Sequence, residues 1–160
     1  MPALKDLSFQ LRTFLKIYPW RRIDPVPRSE LAKPLSESRV ALVTSGGIVA
    51  PDDAPFDESV KGGDFSYRVL KADADVQSLI ESHRSDSFDH AGILADRNLA
   101  FPLDRLGELA GEDSIGEVAP RHLSYMGSIT APGRLIKFTA PEGAGLLVED
   151  KVDAALMIPV

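Results

Sequence analysis

The sequence predicts an α/β fold: a mostly parallel sheet with flanking helices, arranged as a Rossmann-like layered sandwich. Three observations support this prediction. Residues 40–43 form an apolar run that leads directly into a glycine turn, which is a familiar opening of an α/β domain. Residues 154–158 form a second apolar run, the pattern of a parallel strand that is buried on both faces. Between these runs, strand-like and helix-like segments alternate along the chain.

Composition restricts the classes of function. Of the 160 residues, 44% are hydrophobic and 26% are charged, which is typical of a folded domain. The net charge of −6 argues against a general nucleic-acid-binding protein, because phosphate recognition needs a concentrated positive surface. The chain contains no cysteine, so it offers no disulfide, thiolate nucleophile or thiolate metal site. No segment has the length and apolarity of a membrane span or a secretory signal, and we expect a cytoplasmic protein.

The first segment predicts an amphipathic helix that acts as an arm. Apolar residues recur there at three- and four-residue spacing: Leu4, Leu7, Leu11, Phe14, Leu15 and Tyr18. The helix is expected to end at Pro19, and a proline-rich connector follows, because each proline removes a backbone donor. We therefore predict two parts, the helix and connector at residues 1–38 and the α/β domain at residues 39–160.

The apolar stripe of this helix needs a surface that covers it. Membrane binding, with Trp20, Arg21 and Arg22 at the lipid headgroups, is one interpretation, but Asp6 and the small number of basic residues weaken it. Packing against its own domain or against a second copy is favoured. We therefore expect a homo-oligomer, with neither a membrane nor a nucleic acid as partner.

The α/β domain opens with a strand at residues 40–43. The stretch 48–64 contains too many Pro, Gly and Asp residues for the helix that a regular dinucleotide fold places there, so a long loop is predicted. Residues 65–71 alternate in polarity and include aromatic and β-branched side chains, which predicts a second strand.

End signals mark two further helices. Residues 73–83 predict a short helix or turn, with Asp73 or Asp75 as its N-cap. The next helix begins after Pro102 and ends at Gly111, which are the expected positions for these residue types. Its apolar positions are Leu103, Leu106, Leu109 and Ala110.

The last third of the chain predicts a strand followed by helix. Residues 122–129 form the candidate strand, which runs into another glycine turn. The segment 131–151 follows a helical pattern, but Pro141 does not fit the interior of one straight helix. We predict that Thr139 caps a second helix, with Glu142 completing the capping box and Pro141 in the first turn.

The glycine turn after the first strand is a candidate binding site. Thr44, Ser45, Gly46 and Gly47 could hold a carboxylate or phosphate, because successive amides and two hydroxyls can converge on its oxygens. The stretch lacks the spacing of both nucleotide-binding glycine motifs, so nucleotide binding is not expected. A tight turn that needs residues without a Cβ is an equally good interpretation.

A histidine- and aspartate-rich stretch raises the question of a metal site. His83, Asp86, Asp89 and His90 could ligate a divalent ion, with His122 as a more distant candidate. Their spacing matches no standard signature, and aspartate-rich loops are usually solvated turns in which the side chains bond their own backbone. We therefore expect no metal.

Arg121 and His122 adjoin at the predicted entrance of a strand. A guanidinium and an imidazole in this position could handle a substrate carboxylate and a proton, respectively. A hydrogen-bonded structural pair is an equally good interpretation. Asp96 and Asn98, which precede the apolar anchor Phe101, are interpreted as turn or capping residues.

Four stretches carry a resemblance to a known family: "RVALVTSGGIV", "PFDESVKGGDFSYRVL", "DRNLAFPLDRLGELAGEDSIGEVAPRHLSYMGSI" and "VDAALMIPV". They run in the same order between Arg39 and Val160, and they resemble the selenoprotein B type subunits of the glycine, sarcosine, betaine and D-proline reductases and their shorter relatives. The N-terminal helix is not covered by this resemblance.

The resemblance implies a subunit of a selenol- or thiol-dependent reductase that cleaves a C–N bond of an amino acid or related small molecule. In that family, a strand like 154–158 leads into a motif that carries selenocysteine or cysteine. We therefore expect this redox residue after Val160 in the complete protein and no cofactor within this chain. A UGA codon read as a stop would give a chain truncated at Val160, and we expect such a chain to be inactive alone. The alternative is a natural short relative that lacks the redox half.

The rule that α/β sheets bind ligands at the carboxyl ends of their strands, together with the redox residue that the resemblance implies, predicts a site. If strands 40–43 and 154–158 are parallel neighbours, the amides of the turn 44–47 would face the redox residue as an oxyanion-holding loop. Arg121 would bind the substrate carboxylate, and His122 would transfer a proton as the catalytic residue. The expected partners are a small carboxylate or amine substrate, other reductase subunits or a thiol electron donor. A non-catalytic α/β module that binds a small acid or a partner chain is the second hypothesis.

Overall fold

The structure is a computed structural model. It describes residues 8–18, 22–27, 29–85 and 89–160. Some of the predictions above fall on residues or side chains outside this description: Leu4, Leu7, Trp20, Arg21, Asp86 and the side chain of Leu11. Within the described part of the chain, no helix combines the length and the apolarity needed to cross a bilayer.

The chain divides into two compact units, Met1–Glu30 and Leu31–Val160. Residues 31–38 contact the body of the second unit, and the predicted boundary after residue 38 stays a prediction. The Lys33 ammonium, for example, pairs with the Asp153 carboxylate at 2.8 Å. In the described residues of the first unit, one helix is present, α1 (Phe9–Ile17), within the segment predicted to be helical. Its role as an arm stays a prediction.

The described residues of the second unit contain seven strands and three α-helices. The strands are β1 (Arg39–Thr44), β2 (Ile48–Val49), β3 (Tyr67–Lys71), β4 (Ile80–Glu81), β5 (Glu117–Val118), β6 (Arg121–Tyr125) and β7 (Ala154–Ile158). The helices are α2 (His90–Ala95), α3 (Leu103–Gly111) and α4 (Ala140–Glu149). Three 3₁₀ turns (Leu35–Glu37, Val76–Ser78, Arg97–Leu99) and a π-helical turn (Leu135–Thr139) complete the unit.

β1 is the centre of the main sheet. β7 runs parallel to it along its length, with Val40 opposite Ala154 and Thr44 opposite Ile158. β5 and β6 run parallel to β1 on its other side, where β5 pairs with its first residues and β6 with its last. β3 pairs antiparallel with β6, and β2 and β4 form a separate two-stranded sheet. The α/β class is therefore confirmed, and the sheet is mixed.

One face of the sheet packs on the main hydrophobic core. Val40 and Leu42 of β1 meet Phe101 and the α3 residues Leu103 and Leu106 there, and all five side chains are buried. Burial of a large apolar side chain stabilises a fold by about 1.5–3 kcal/mol. This core anchors β1, and with it the turn that follows the strand.

Several local predictions are confirmed. The Asp75 carboxylate accepts the Gln77 amide as the N-cap of the 3₁₀ turn Val76–Ser78. α3 begins after Pro102 and ends at Gly111. The long loop predicted after β1 is present, and only the two-residue strand β2 interrupts it. The strand predicted at residues 65–71 is β3.

The regular Rossmann-like sandwich is not observed. β3 runs antiparallel to its neighbour, and α4 covers only part of the second face of the sheet. The prediction that residues 154–158 are buried on both faces is wrong, because Leu156 is 48% exposed and Met157 65% exposed. Among the described strands, β7 pairs only with β1, so its outer edge is free.

Thr139 does not cap a helix as predicted. Its backbone is helical, and its hydroxyl donates to the Phe65 carbonyl instead. The chain reaches α4 through the π turn Leu135–Thr139, and Pro141 lies in the first turn of α4, as expected. A π turn changes the spacing of the backbone hydrogen bonds, so that Pro141, which has no amide hydrogen, fits at this position.

Candidate functional site

The carboxyl ends of β1 and β7 meet at one edge of the sheet, as the sequence predicts. Ser45 follows β1, and its amide donates to the Ile158 carbonyl at 3.0 Å. The Val160 amide in turn donates to the Ser45 hydroxyl at 3.0 Å. A Cβ on Gly46 would lie 3.2 Å from the Val160 side chain. These contacts hold the end of β7 against the turn 44–47, at the edge where α/β sheets bind ligands.

The amides of this turn are engaged within the protein. The Ser45 amide is taken by Ile158, the Gly46 amide donates to the Thr44 hydroxyl at 3.0 Å, and the Gly47 amide donates to the Tyr125 carbonyl at 2.9 Å. Gly47 also has a φ of 65°, which favours glycine. The turn therefore acts as a junction between strands. Its predicted role as an oxyanion-holding loop stays a prediction, and it requires these bonds to open.

The two hydroxyls of the turn differ in their surroundings. The Thr44 hydroxyl is buried, donates to the Ala100 carbonyl at 2.7 Å and accepts the Gly46 amide. The Ser45 hydroxyl is half-buried and accepts the Val160 amide. Ser45 is thus the member of the turn that contacts the end of β7 through its side chain.

An apolar cleft of about 640 Å³ opens beside this edge, between the second face of the sheet and the helical segment 135–149. Its apolar walls come from Val43, Leu123, Leu135, Ala140, Ala144, Leu147, Ala155, Met157, Ile158 and Pro159. Its polar members are Thr44, Ser45 and Tyr125, and none of the described residues that line it carries a charge. The cleft is suited to an apolar or weakly polar group.

Tyr125 is the polar side chain on the β6 side of the cleft. Its hydroxyl donates to the Thr139 carbonyl at 3.1 Å, and its ring lies 5.5 Å from the ring of Tyr67. Burial raises the pKa of Tyr125 to about 12. The phenol therefore stays neutral at physiological pH and acts as a hydrogen-bond donor, not as a base.

α4 touches the sheet through a glycine. A Cβ on Gly143 would lie 2.4 Å from the Tyr125 hydroxyl and 2.9 Å from the Leu123 side chain, distances that real Cβ atoms do not adopt. Gly143 is accordingly buried, whereas Ala144 and Gly145 next to it are exposed. This close approach fixes one end of the wall of the cleft.

Arg121 lies at the amino end of β6, away from the turn 44–47. Its guanidinium forms two hydrogen bonds of 2.7 Å with the Asp150 carboxylate and a 3.2 Å contact with Glu149. The hydrogen bonds from Arg121 hold the pKa of Asp150 below its ordinary value and raise the pKa of Arg121. The structure does not bring Arg121 to the cleft, and the protein's own carboxylates occupy the place predicted for a substrate carboxylate.

His122 lies on the core side of the sheet. Its Nδ1 accepts the Leu42 amide at 2.9 Å, and its ring packs edge-on against Phe101 at 5.7 Å. Burial lowers the pKa of His122 to about 4, so the imidazole is neutral. This geometry agrees with the interpretation of His122 as a hydrogen-bonded structural residue. Its catalytic role stays a prediction, and His122 makes no contact with the cleft.

The other histidines serve local structure in the described residues. His90 contacts the Glu81 carboxylate and the Ser85 carbonyl, both at 2.7 Å. Asp89 caps α2, and the Asp96 carboxylate caps the 3₁₀ turn Arg97–Leu99, as predicted for a capping residue. In residues 8–85 and 89–160, apart from the few positions left undescribed there, no three metal-binding side chains converge.

Sequence analysis missed the side chains that line the cleft. Tyr125 had a usable signal: it ends the strand at residues 121–125, and the carboxyl ends of parallel strands share one edge of a sheet. Leu135 and Met157 had no such signal, because apolar residues at their spacing are indistinguishable from ordinary core residues.

Comparison with known proteins places the chain in a family. The sequence profile of glycine/sarcosine/betaine reductase selenoprotein B matches residues 5–159. D-proline reductase subunit gamma of Acetoanaerobium sticklandii is 35% identical over 127 residues, which cover 79% of this chain and 50% of that protein. Sarcosine reductase complex component B subunit beta of Peptoclostridium acidaminophilum is 32% identical over 142 residues, 88% of this chain and 32% of that protein.

A third relative, glycine reductase complex component B subunit gamma of Carboxydothermus hydrogenoformans, is 30% identical over 142 residues, 87% of this chain and 32% of that protein. The chain therefore spans from about a third to half of the length of these relatives. No solved structure matches it. The match to the family profile extends over nearly the whole sequence, and the chain belongs to the glycine/sarcosine/betaine reductase selenoprotein B family.

Proposed function

We propose that this chain forms the α/β scaffold of a subunit of a selenol- or thiol-dependent reductase that acts on an amino acid or a related small molecule. The observation that carries the proposal is the junction of β1 and β7, where Ser45 holds Val160 beside an apolar cleft. The relatives named above are subunits of D-proline, sarcosine and glycine reductases, which supports the same class of reaction.

The redox-active group has to come from outside the 160 residues, because they include no cysteine. We assign it to a selenocysteine or cysteine that follows Val160 in the complete protein. Such a residue supplies a strong nucleophile, and together with the thiol donor it supplies the two electrons for reductive C–N cleavage, ending as a selenenyl sulfide or disulfide while the amine leaves. The residues present fit it: the strand end is fixed through the Ser45 hydroxyl, and the adjoining wall is apolar.

The side chains at this edge have separate tasks in the proposal. Ser45 positions the end of β7, and the neutral Tyr125 hydroxyl, which donates to the Thr139 carbonyl, can accept a hydrogen bond from the substrate. The apolar walls exclude water from the reacting bond, which strengthens polar interactions near it. Since no described lining residue is charged, recognition of a substrate carboxylate falls to a partner subunit.

The proposal extends to partners and location. Other reductase subunits and a thiol electron donor complete the reaction, and the protein works in the cytoplasm as part of an oligomer. The 160-residue chain by itself is expected to be inactive, because it contains neither a selenol nor a thiol.

A second candidate function is a non-catalytic module that binds a small acid or a partner chain. In such a module the junction of β1 and β7 serves structure alone, and no redox group is needed. Reading the gene beyond the Val160 codon separates the two. A UGA codon followed by an in-frame, cysteine-containing continuation supports the reductase with a redox residue after Val160. Any other stop codon ends that assignment, and binding of a small acid without turnover then supports the module.

A further inference from the structure

We infer that the outer face of α4 is the contact between two copies of this chain, which pack with their α4 helices antiparallel about a twofold axis. This inference goes beyond the proposed reductase function and does not depend on it. It rests on the exposure of an apolar helix and on the order of charges along that helix.

α4 is apolar on nearly all sides and yet lies at the surface. Gly143 is the buried contact with the sheet, whereas Phe138 in the preceding π turn is 52% exposed and Val148 is 75% exposed. Gly145 is also exposed, and a Cβ on it would meet nothing within 4 Å. An apolar stripe on a surface helix is normally covered, and the lack of a side chain at Gly145 allows another helix to approach closely.

Charge identifies a second copy as the occupant of this face. Basic side chains, Arg134 and Lys137, lie at the amino end of the helical segment, and acidic ones, Glu149 and Asp150, lie at its carboxyl end. This order opposes the helix dipole, so it disfavours an isolated helix. In an antiparallel pair, however, the Lys137 of each copy lies opposite the Glu149 of the other, and a twofold axis forms this contact twice.

The neighbouring charges are compatible with this pairing. Burial and Glu142, near the middle of the segment, raise the pKa of Tyr67, so the Glu142 carboxylate lies on the flank of the helix next to β3 and not at the centre of the outer face. Asp150 is held by Arg121 through two hydrogen bonds. Glu149 contacts Arg121 at 3.2 Å, but its side chain remains 68% exposed and is open to a second cation.

The dimer also leaves the cleft accessible. Leu135, Ala140 and Leu147 face the cleft between the helix and the sheet, whereas the exposed stripe that contains Phe138, Gly145 and Val148 follows the helix on its outer side. A partner on the outer side therefore covers apolar surface without filling the candidate site.

Sedimentation equilibrium of the full chain, across a concentration series, tests the inference. We expect a dimer, and we expect Gly145→Gln to dissociate it while raising the melting temperature of the monomer, because glycine is the poorer helix former. Gly107→Gln, at an exposed glycine of α3 that also has open space, is the matched control and should leave the dimer intact. A monomer at all concentrations, or a dimer that withstands Gly145→Gln, would overturn the inference.

A charge exchange tests the register of the two helices. Lys137→Glu and Glu149→Lys should each weaken the dimer by roughly tenfold, because each change replaces two attractions with two repulsions. The double variant should recover most of the affinity. Salt should still weaken its dimer, although less than it weakens the wild-type dimer. Equal weakening by the single and double variants would contradict the antiparallel pairing.

Discussion

The imidazole Nδ1 of His122 accepts the backbone amide of Leu42 at 2.9 Å, so a side chain completes the main sheet where the backbone does not. β5 pairs with β1 as far as Val118, and β6 resumes the pairing at Leu123. Pro120 interrupts the strand between them. The buried Leu42 amide would otherwise face an interruption without an acceptor, and His122 supplies one.

Removing this acceptor should destabilise the fold. We predict that His122→Ala lowers the free energy of unfolding by roughly 2–4 kcal/mol, because it leaves a buried amide unpaired and opens a cavity. His122→Asn should recover part of this loss, since its amide oxygen can take the position of Nδ1. Urea denaturation of the three proteins measures the effect. Equal losses in both variants would show that the hydrogen bond is unimportant.

The same histidine should make stability depend on pH. Its pKa is about 4 in the fold and 6.5 when unfolded, so between these values the unfolded chain binds a proton that the folded chain does not. Stability from this source is complete above about pH 6.5 and falls as the pH decreases toward 4, by roughly 3 kcal/mol in total. Urea denaturation at several pH values measures this slope. His122→Asn should flatten it, and an unchanged slope would assign the effect to other groups.

Two glycines of α4 should respond in opposite ways to the same change. Gly143→Ala places a methyl group against the Tyr125 hydroxyl and should cost about 1–3 kcal/mol of stability. Gly145→Ala meets open space and should add about 0.5–1 kcal/mol through helix propensity. Thermal denaturation compares the two. Tyr125→Phe combined with Gly143→Ala should relieve part of the strain, because the hydroxyl is the nearest clashing atom.

Ser45 should control the order of the strand end beside the cleft. Ser45→Ala removes the acceptor of the Val160 amide, and we expect hydrogen exchange at that amide to accelerate roughly tenfold. The exposed Ser36→Ala serves as control and should leave the exchange rate unchanged. If the Val160 amide exchanges equally fast in wild type and Ser45→Ala, then Ser45 does not position this strand end.

The sequence was most informative where local chemistry acts alone. The Asp75 cap, the limits of α3 and the position of Pro141 follow from rules that need only a few neighbouring residues. The meeting of the β1 and β7 ends also followed, because two parallel strands share the edge at which they end.

The site itself was less predictable because its properties depend on distant contacts. Arg121 looked like a ligand for a substrate until Asp150, twenty-nine residues later, was placed against it. His122 looked like a proton carrier, but the interruption at Pro120 and the Leu42 amide explain its burial. The exposure of the Met157 side chain could not be predicted from the sequence, because it depends on which strand lies at the edge of the sheet.

The most direct test of the proposed function is turnover by the native complex that contains this chain, purified without oxygen and supplied with a dithiol. We predict that one of glycine, sarcosine, betaine and D-proline is consumed in equal amount to the dithiol oxidised, that alkylation abolishes the reaction, and that the isolated 160-residue chain shows none. A complex that oxidises no dithiol with any of the four, or robust turnover by the isolated chain, would contradict the assignment of a reductase whose redox group lies beside Ser45.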